Sequence, residues 1–292
     1  MIVLLGLYGW TLAASAALSP TLALLGSHLA TRDRALQTLC MAQGSTVGVL
    51  LAIGLYGDEA VLPPFIGAAA VAFAMYLVTE ALAASRPAAK NTLFALVFAS
   101  LVATGHLIAA VFPSLESHLA QRFFGDLATL TVSESKWALA LASVLLLILF
   151  RYRHTLAEQS FDVEVFGEGY AMQRFPWRLH GFRALALVTV ALSVQFVGFL
   201  FTASLLFVPT GLLVLRQRAG LSAHQSVAMI ASMVCTVAGF LISLKFTRLP
   251  TVPTVVLLLV ATTSVGVVLE KVWAWLIARK PSVFQPALGG AS

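Results

Sequence analysis

Long apolar runs, each closed by charge, proline or glycine, dominate this chain. About 20 such residues at 1.5 Å per residue cross a hydrocarbon layer of about 30 Å, so the runs read as membrane spans. They predict nine helices, near 4–28, 36–56, 61–83, 91–112, 136–151, 182–199, 201–215, 225–244 and 254–277. Only Val197-Gly198 divides the sixth from the seventh, which marks a tight return. Two connections are long, 113–135 and 151–183. The first holds Arg122-Phe123-Phe124-Gly125-Asp126-Leu127, apolar enough to dip back into the protein as a re-entrant element. The opening run lacks the basic flank of a cleaved leader and reads as a retained first span. No internal repeat is evident, and the sole low-complexity tract is the tail Ala287–Ser292.

Composition agrees with that pattern. Of 292 residues, 60% are hydrophobic and only 10% charged, against about 25% charged in a soluble domain. The expected fold class is therefore all-α and polytopic, about nine transmembrane helices with a re-entrant outer segment. Residues 1–282 form one transmembrane domain with a cytoplasmic segment at about 155–170, and 283–292 form a tail. The net charge of +6 reports topology rather than nucleic-acid binding. With residue 1 outside, fourteen basic groups fall inside, from Arg32 and Arg34 through Arg183 to Lys280, against Arg122, Lys136, Lys245 and Arg248 outside. The positive-inside rule then gives an N-terminus out and a C-terminus in. Cys40 and Cys235 lie in apolar runs and offer no disulfide framework.

Several chemistries have no motif here. There is no GxxxxGK[ST] loop to cradle ATP phosphates, so the chain by itself is not expected to be an enzyme or to bind a cofactor. HExxH, paired-Cys and His-x-His spacings are absent too. The histidines, including His28, His106 and His224, are scattered and read as ordinary interfacial residues. Glu80 and Glu270 sit toward span ends, within reach of headgroups. A proton- or sodium-coupled carrier needs a buried ionisable relay, and none stands out. An ATPase-independent carrier or exporter of a small metabolite is thus the weaker alternative.

Two segments carry signals of their own. Gln195 in an apolar span wants a hydrogen-bond partner on a neighbouring helix, Gly198 permits close approach or a turn, and Pro209 is expected to kink the seventh span. Helix packing and a place on a substrate path both remain open for them. In 160–167, Ser160 is placed to cap a helix whose positive end suits Asp162 and Glu164, with Phe161, Val163 and Phe166 as an apolar face. So short an element gains little alone in water. It fits either a partner protein or the membrane surface.

Four segments, in order, resemble the membrane subunits of ABC importers for zinc, manganese or ferrous iron (the ZnuB/MntB type). Gln195-Phe196-Val197-Gly198-Phe199-Leu200, continuing to Pro209, is similar to that family's Q-x-V-G-x-L…LL-x-x-P signature. Phe124-Gly125-Asp126-Leu127, with Thr131 and Glu134, resembles F-G-D-L-L-x-V-T/S. Phe161-Asp162-Val163-Glu164-Val165-Phe166-Gly167 resembles F-D-P-E-F-A-x-x-x-G, and Pro250-Thr251-Val252-Pro253 resembles P-x-G-P. The resemblance implies a homodimer in the bacterial cytoplasmic (inner) membrane, with two ATP-binding cassette subunits and an extracytoplasmic metal-binding protein. ATP and Mg would sit on the ATPase. Residues Phe161, Asp162, Glu164, Phe166 and Gly167 would couple to it. The cargo implied is a divalent metal, zinc first, then manganese or iron.

The match departs from the family where the cation would pass. The second span usually opens with G-D-x-x-x-H, whose acid and imidazole share a helix face. Here Leu39 and Gln43 occupy those places, Arg248 stands where an acid often precedes P-x-G-P, and Val252 replaces its glycine. The metal ligands are therefore unknown. Candidate path residues are Cys40, Met41, Gln43, His106, Gln195 and Pro209. A metal complex bringing its own ligands is a further possible cargo.

Overall fold

A computed structural model describes residues 2–57, 62–125, 127, 130–167, 176–211, 220–246 and 248–278. Among these, eleven α-helices and two short 3-10 turns occur and no strand does. The helices are α1 (Ile2–Thr31), α2 (Ala35–Tyr56), α3 (Leu62–Ser85), α4 (Lys90–Val111), α5 (Glu116–Phe124) and α6 (Val132–Arg151). After them come α7 (Arg153–Phe166), α8 (Pro176–Val197), α9 (Phe199–Phe207), α10 (Leu221–Lys245) and α11 (Thr251–Ala278). Eight are long and apolar enough to cross a membrane, namely α1–α4, α6, α8, α10 and α11.

The expected seventh span, 201–215, differs. Gly198 adopts φ +92° and ends α8, and α9 is only nine residues long. A Cβ at the junction would be strained by that φ, which is why glycine stands there. The break is closed locally. Gly198 donates to the Val194 carbonyl at 3.1 Å, and the Thr202 hydroxyl donates to the Gly198 carbonyl at 2.8 Å while meeting Ser193 Oγ at 2.7 Å. Nor does Pro209 kink a helix. α9 ends at Phe207, and Val208–Thr210 form a turn, as expected when a ring without an N–H meets a helix. Residues 212–219, the rest of that expected span, lie outside the described residues, as does the tail 283–292.

The connection 113–135 does fold back. A 3-10 turn, Pro113–Leu115, leads into α5, which packs against α2, α4, α8 and α9. Leu115, Leu119 and Leu127 are buried, and Phe123 stacks on Phe199 at 5.3 Å. Gly125, at φ +75°, lies so close to the Val197 carbonyl that a Cβ would come within 2.1 Å of it. Asp126 itself is outside the described residues. Thr131 then opens α6 with a capping box, its hydroxyl accepting from the Glu134 N–H at 3.2 Å.

α1 is the central element, touching α6, α7, α8, α9 and α10. Lipid tails are as apolar as leucine, so helices in a bilayer are held by close packing and interhelical hydrogen bonds. α1 supplies both. Thr11 Oγ1 meets Ser135 Oγ on α6 at 3.0 Å, and Ser19 Oγ donates to Thr236 Oγ1 on α10 at 2.7 Å. Between α2 and α3 the contact is backbone to backbone at Gly48 and Gly67, where a Cβ on Gly48 would lie 2.2 Å from the Gly67 carbonyl oxygen. Large apolar side chains such as Leu96, Leu107, Leu147 and Leu257 point outward from α4, α6 and α11, a surface suited to lipid.

Candidate functional site

α7 follows α6 after one intervening residue, Tyr152. It runs fourteen residues and stops at Gly167, whose φ of +81° and N–H bond to the Val163 carbonyl at 3.0 Å form a helix C-terminus. Ser160 is therefore not a helix cap. It lies inside α7, fully buried, and its hydroxyl donates to the Leu156 carbonyl at 2.8 Å. Asp162 and Glu164 accordingly occupy the C-terminal half of the helix rather than its positive end. The helix begins earlier than expected because Arg153–Gln159 continue the helical path from α6 and bury Leu156 and Gln159 against α1.

The two faces of α7 differ in kind. Leu156, Gln159 and Ser160 face the bundle, whereas Phe161, Val165 and Phe166 are more than half exposed. Glu164 is exposed, Asp162 half-buried, and Gly167 exposed. Val163, Glu164 and Gly167 also line a cleft of about 530 Å³ with Arg32, Asp33, Arg34, Glu80 and Lys90. Lys90 pairs with Asp33 at 2.6 Å. One end of the bundle thus gathers the α1–α2 turn, the α3–α4 turn and α7.

Behind that cleft the Glu80 carboxylate sits between two guanidiniums. Arg34 pairs with one oxygen, Gln37 donates to the same oxygen at 2.8 Å, and Arg183 Nη2 lies 3.6 Å from the other. Arg183 also donates to the Tyr76 hydroxyl at 3.0 Å. These side chains come from α2, α3 and α8 and tie their ends together. A neighbouring cavity of about 30 Å³, room for one water, is lined by Met41, Thr38, Gln37, Phe182, Arg32 and Arg183, among others.

The candidate path residues do not form one cluster. Cys40 is fully buried, and its Sγ donates to the Phe94 carbonyl of α4 at 3.1 Å. Met41, one residue on, faces the small cavity toward α8. Gln43 is buried, and its Oε1 accepts no hydrogen bond among the described residues. Gln195 is buried on α8 one turn before Gly198, and Pro209 is buried in the turn after α9. His106 lies on the exposed face of α4 and does not join the buried α2 residues. Among the described residues no three His, Cys, Asp or Glu side chains converge to hold a metal ion.

What sequence reasoning missed is a buried polar centre on α1. His28 is no interfacial residue. It is wholly buried, between Ser160 of α7 and Gln225 of α10, and Arg32 one turn later lies over the Phe182 ring at 3.8 Å. The i, i+4 spacing of His28 and Arg32 was the available signal, since it puts both on one face. His224, beside Gln225, is also buried, and neither ring nitrogen has a hydrogen-bond partner among the described residues.

Solved structures share this architecture. One chain of PsaBC from Streptococcus pneumoniae, determined in complex with a Fab, superposes with a TM-score of 0.71 at 17% identity, covering 91% of this chain and 95% of that one. A metal-chelate type ABC transporter in an inward-facing conformation gives a TM-score of 0.61 at 13% identity, covering 91% and 85%. At such identities the likeness is one of fold. No curated protein matches the sequence at a significant level. The model of the ABC 3 transport family matches residues 7–270, almost the entire described bundle, and the chain belongs to that family as a ZnuB/MntB-like membrane permease.

Proposed function

We propose that this permease serves an ATP-driven importer of a divalent metal, with zinc as the first candidate and manganese or iron next. The single observation that carries the reading is the family match across residues 7–270. α7 adds support, because a helix with one face locked to the bundle and three large apolar side chains on the other is built to receive a partner. In this reading the partner is an ATPase subunit holding ATP and Mg, and Phe161, Asp162, Glu164, Phe166 and Gly167 meet it. The chain works as a homodimer in a bacterial inner membrane, with an extracytoplasmic binding protein at the opposite end. That orientation follows from charge. Arg32, Arg34, Arg86, Lys90, Arg153 and Arg183 all lie at the α7 end, which the positive-inside rule assigns to the cytoplasm.

The route for the cargo runs beside α2, where Gln43 offers a buried carbonyl oxygen. A low-affinity route suffices, since conduction requires that the ion leave as readily as it enters. The deciding experiment is purification of the tagged chain from its native membranes in mild detergent. A stoichiometric ATPase and ATP hydrolysis are expected. A lone chain without either refutes the importer reading and promotes the ATPase-independent carrier. Uptake of zinc with and without a chelating small molecule then separates ion from complex.

A further inference from the structure

Four helices distant in sequence meet at one buried node, and α7 is among them. His28 Nδ1 lies 3.2 Å from Ser160 Oγ, and His28 Nε2 lies 3.0 Å from Gln225 Nε2. Arg32 Nε donates to the same Ser160 oxygen at 3.1 Å, and its Nη2 reaches Gln159 Oε1 at 3.5 Å. Phe182 of α8 covers the Arg32 guanidinium and meets the His28 ring edge-on at 6.2 Å. The Gln225 amide also donates to Ser27 Oγ at 3.2 Å.

Donor counting fixes how the node is wired. Ser27 spends its proton on the Leu24 carbonyl, so it accepts from the Gln225 NH₂. That amide nitrogen only donates, so His28 Nε2 accepts and the imidazole proton sits on Nδ1. Ser160 spends its own proton on Leu156, leaving its two lone pairs for His28 Nδ1–H and Arg32 Nε–H. One hydroxyl on α7 therefore accepts from the buried imidazole of His28 on α1 and from one guanidinium N–H of Arg32 just beyond it.

We propose that this node is the linkage by which displacement of α7 reaches the membrane helices, with Ser160 the positioning residue on α7 and Gln225 its counterpart on α10. Sliding α7 alone past α1 takes the Ser160 oxygen away from two buried donors, one of them charged. Moving α1 and α10 with α7 keeps every bond. Because α1 also touches α6, α8 and α9, a push on the exposed face of α7 is delivered to the bundle as one body.

The proposal rests on α7 being the ATPase dock, and the test separates the two. Spin labels at Glu158→Cys on α7 and Ile230→Cys on α10, both exposed, report the distance between these helices in the detergent-purified permease–ATPase complex. With the node intact, adding ATP leaves the distance unchanged. With Ser160→Ala it shifts by about 2 Å or more, Gln225→Ala behaves the same way, and Ser160→Thr, which keeps the hydroxyl, restores the fixed distance. A shift in the otherwise unaltered protein, or none in either alanine variant, overturns the linkage. If Asp162→Lys with Glu164→Lys leaves the complex assembled, the docking assignment itself fails.

Discussion

Replacing Gly48 with alanine tests whether α2 and α3 are held by direct backbone contact. The added methyl would lie 2.2 Å from the Gly67 carbonyl oxygen and 2.7 Å from its carbon. Both are backbone atoms, so no rotamer change relieves the clash, and the helices must part by about 1 Å. Overpacking of this kind costs about 1–3 kcal/mol, and backbone contact places Gly48 at the top of that range. Alanine returns about 1 kcal/mol through helix propensity, leaving a net loss of about 2 kcal/mol. Near 2 °C per kcal/mol for a chain of this size, the midpoint falls by roughly 4 °C. Gly181 is the control. It also lies inside a helix, but a Cβ there meets nothing within 4 Å, so Gly181→Ala should hold or raise the midpoint. The assay is fluorescence-detected size exclusion after heating in detergent. Equal midpoints for Gly48→Ala and Gly181→Ala would refute the reasoning.

Glu80→Gln leaves Arg34 and Arg183 facing each other without their shared carboxylate; with Glu80 about a quarter exposed, the loss should be about 2 kcal/mol, below that of a fully buried pair, and read as a lower midpoint in the same assay. Asp162→Lys with Glu164→Lys reverses both charges beside the exposed face of α7, and pull-down of the ATPase should fall at least tenfold while the midpoint stays fixed. Gln43→Ala removes the buried carbonyl oxygen that accepts no hydrogen bond; zinc uptake at limiting concentration should drop several-fold, and unchanged uptake would take Gln43 off the route.

The spans were legible because a bilayer imposes one length and one composition on whatever crosses it. Eight of the expected runs correspond to long helices, and Gly198 was readable as a break. What the runs concealed was how short α9 is, since Val208 and Pro209 continue the apolar composition after the helix has stopped. The length of α7 was hidden for the opposite reason. Arg153, His154 and Glu158 are polar, so composition gives no hint that the helix already starts there, and Ser160 reads as its cap. The Glu80 cluster and the His28 centre depend on which helix faces which, and one sequence does not encode that through periodicity. At Gln43 the sequence marked the departure from the family's ligands, and the structure adds that the replacing amide has an oxygen with no partner.

The polar stripe on α1 also has a consequence for biogenesis. Over Tyr8–Thr31, α1 supplies the least apolar of the eight candidate spans, with a mean hydropathy of 1.3, and that span is among the most enclosed. The Thr11 and Ser19 hydroxyls and the His28 imidazole bond to α6, α7 and α10, all of which follow α1 by more than a hundred residues. During synthesis α1 thus enters the bilayer well before α6, α7 and α10 exist, with Thr11 and His28 still lacking the partners they have in the finished bundle. Contacts of such long sequence separation form late. The groups that lock the finished bundle are those that most need shelter beforehand, so α1 must be kept beside the insertion machinery until α10 has emerged, and chains truncated before α10 should be cleared by membrane proteases.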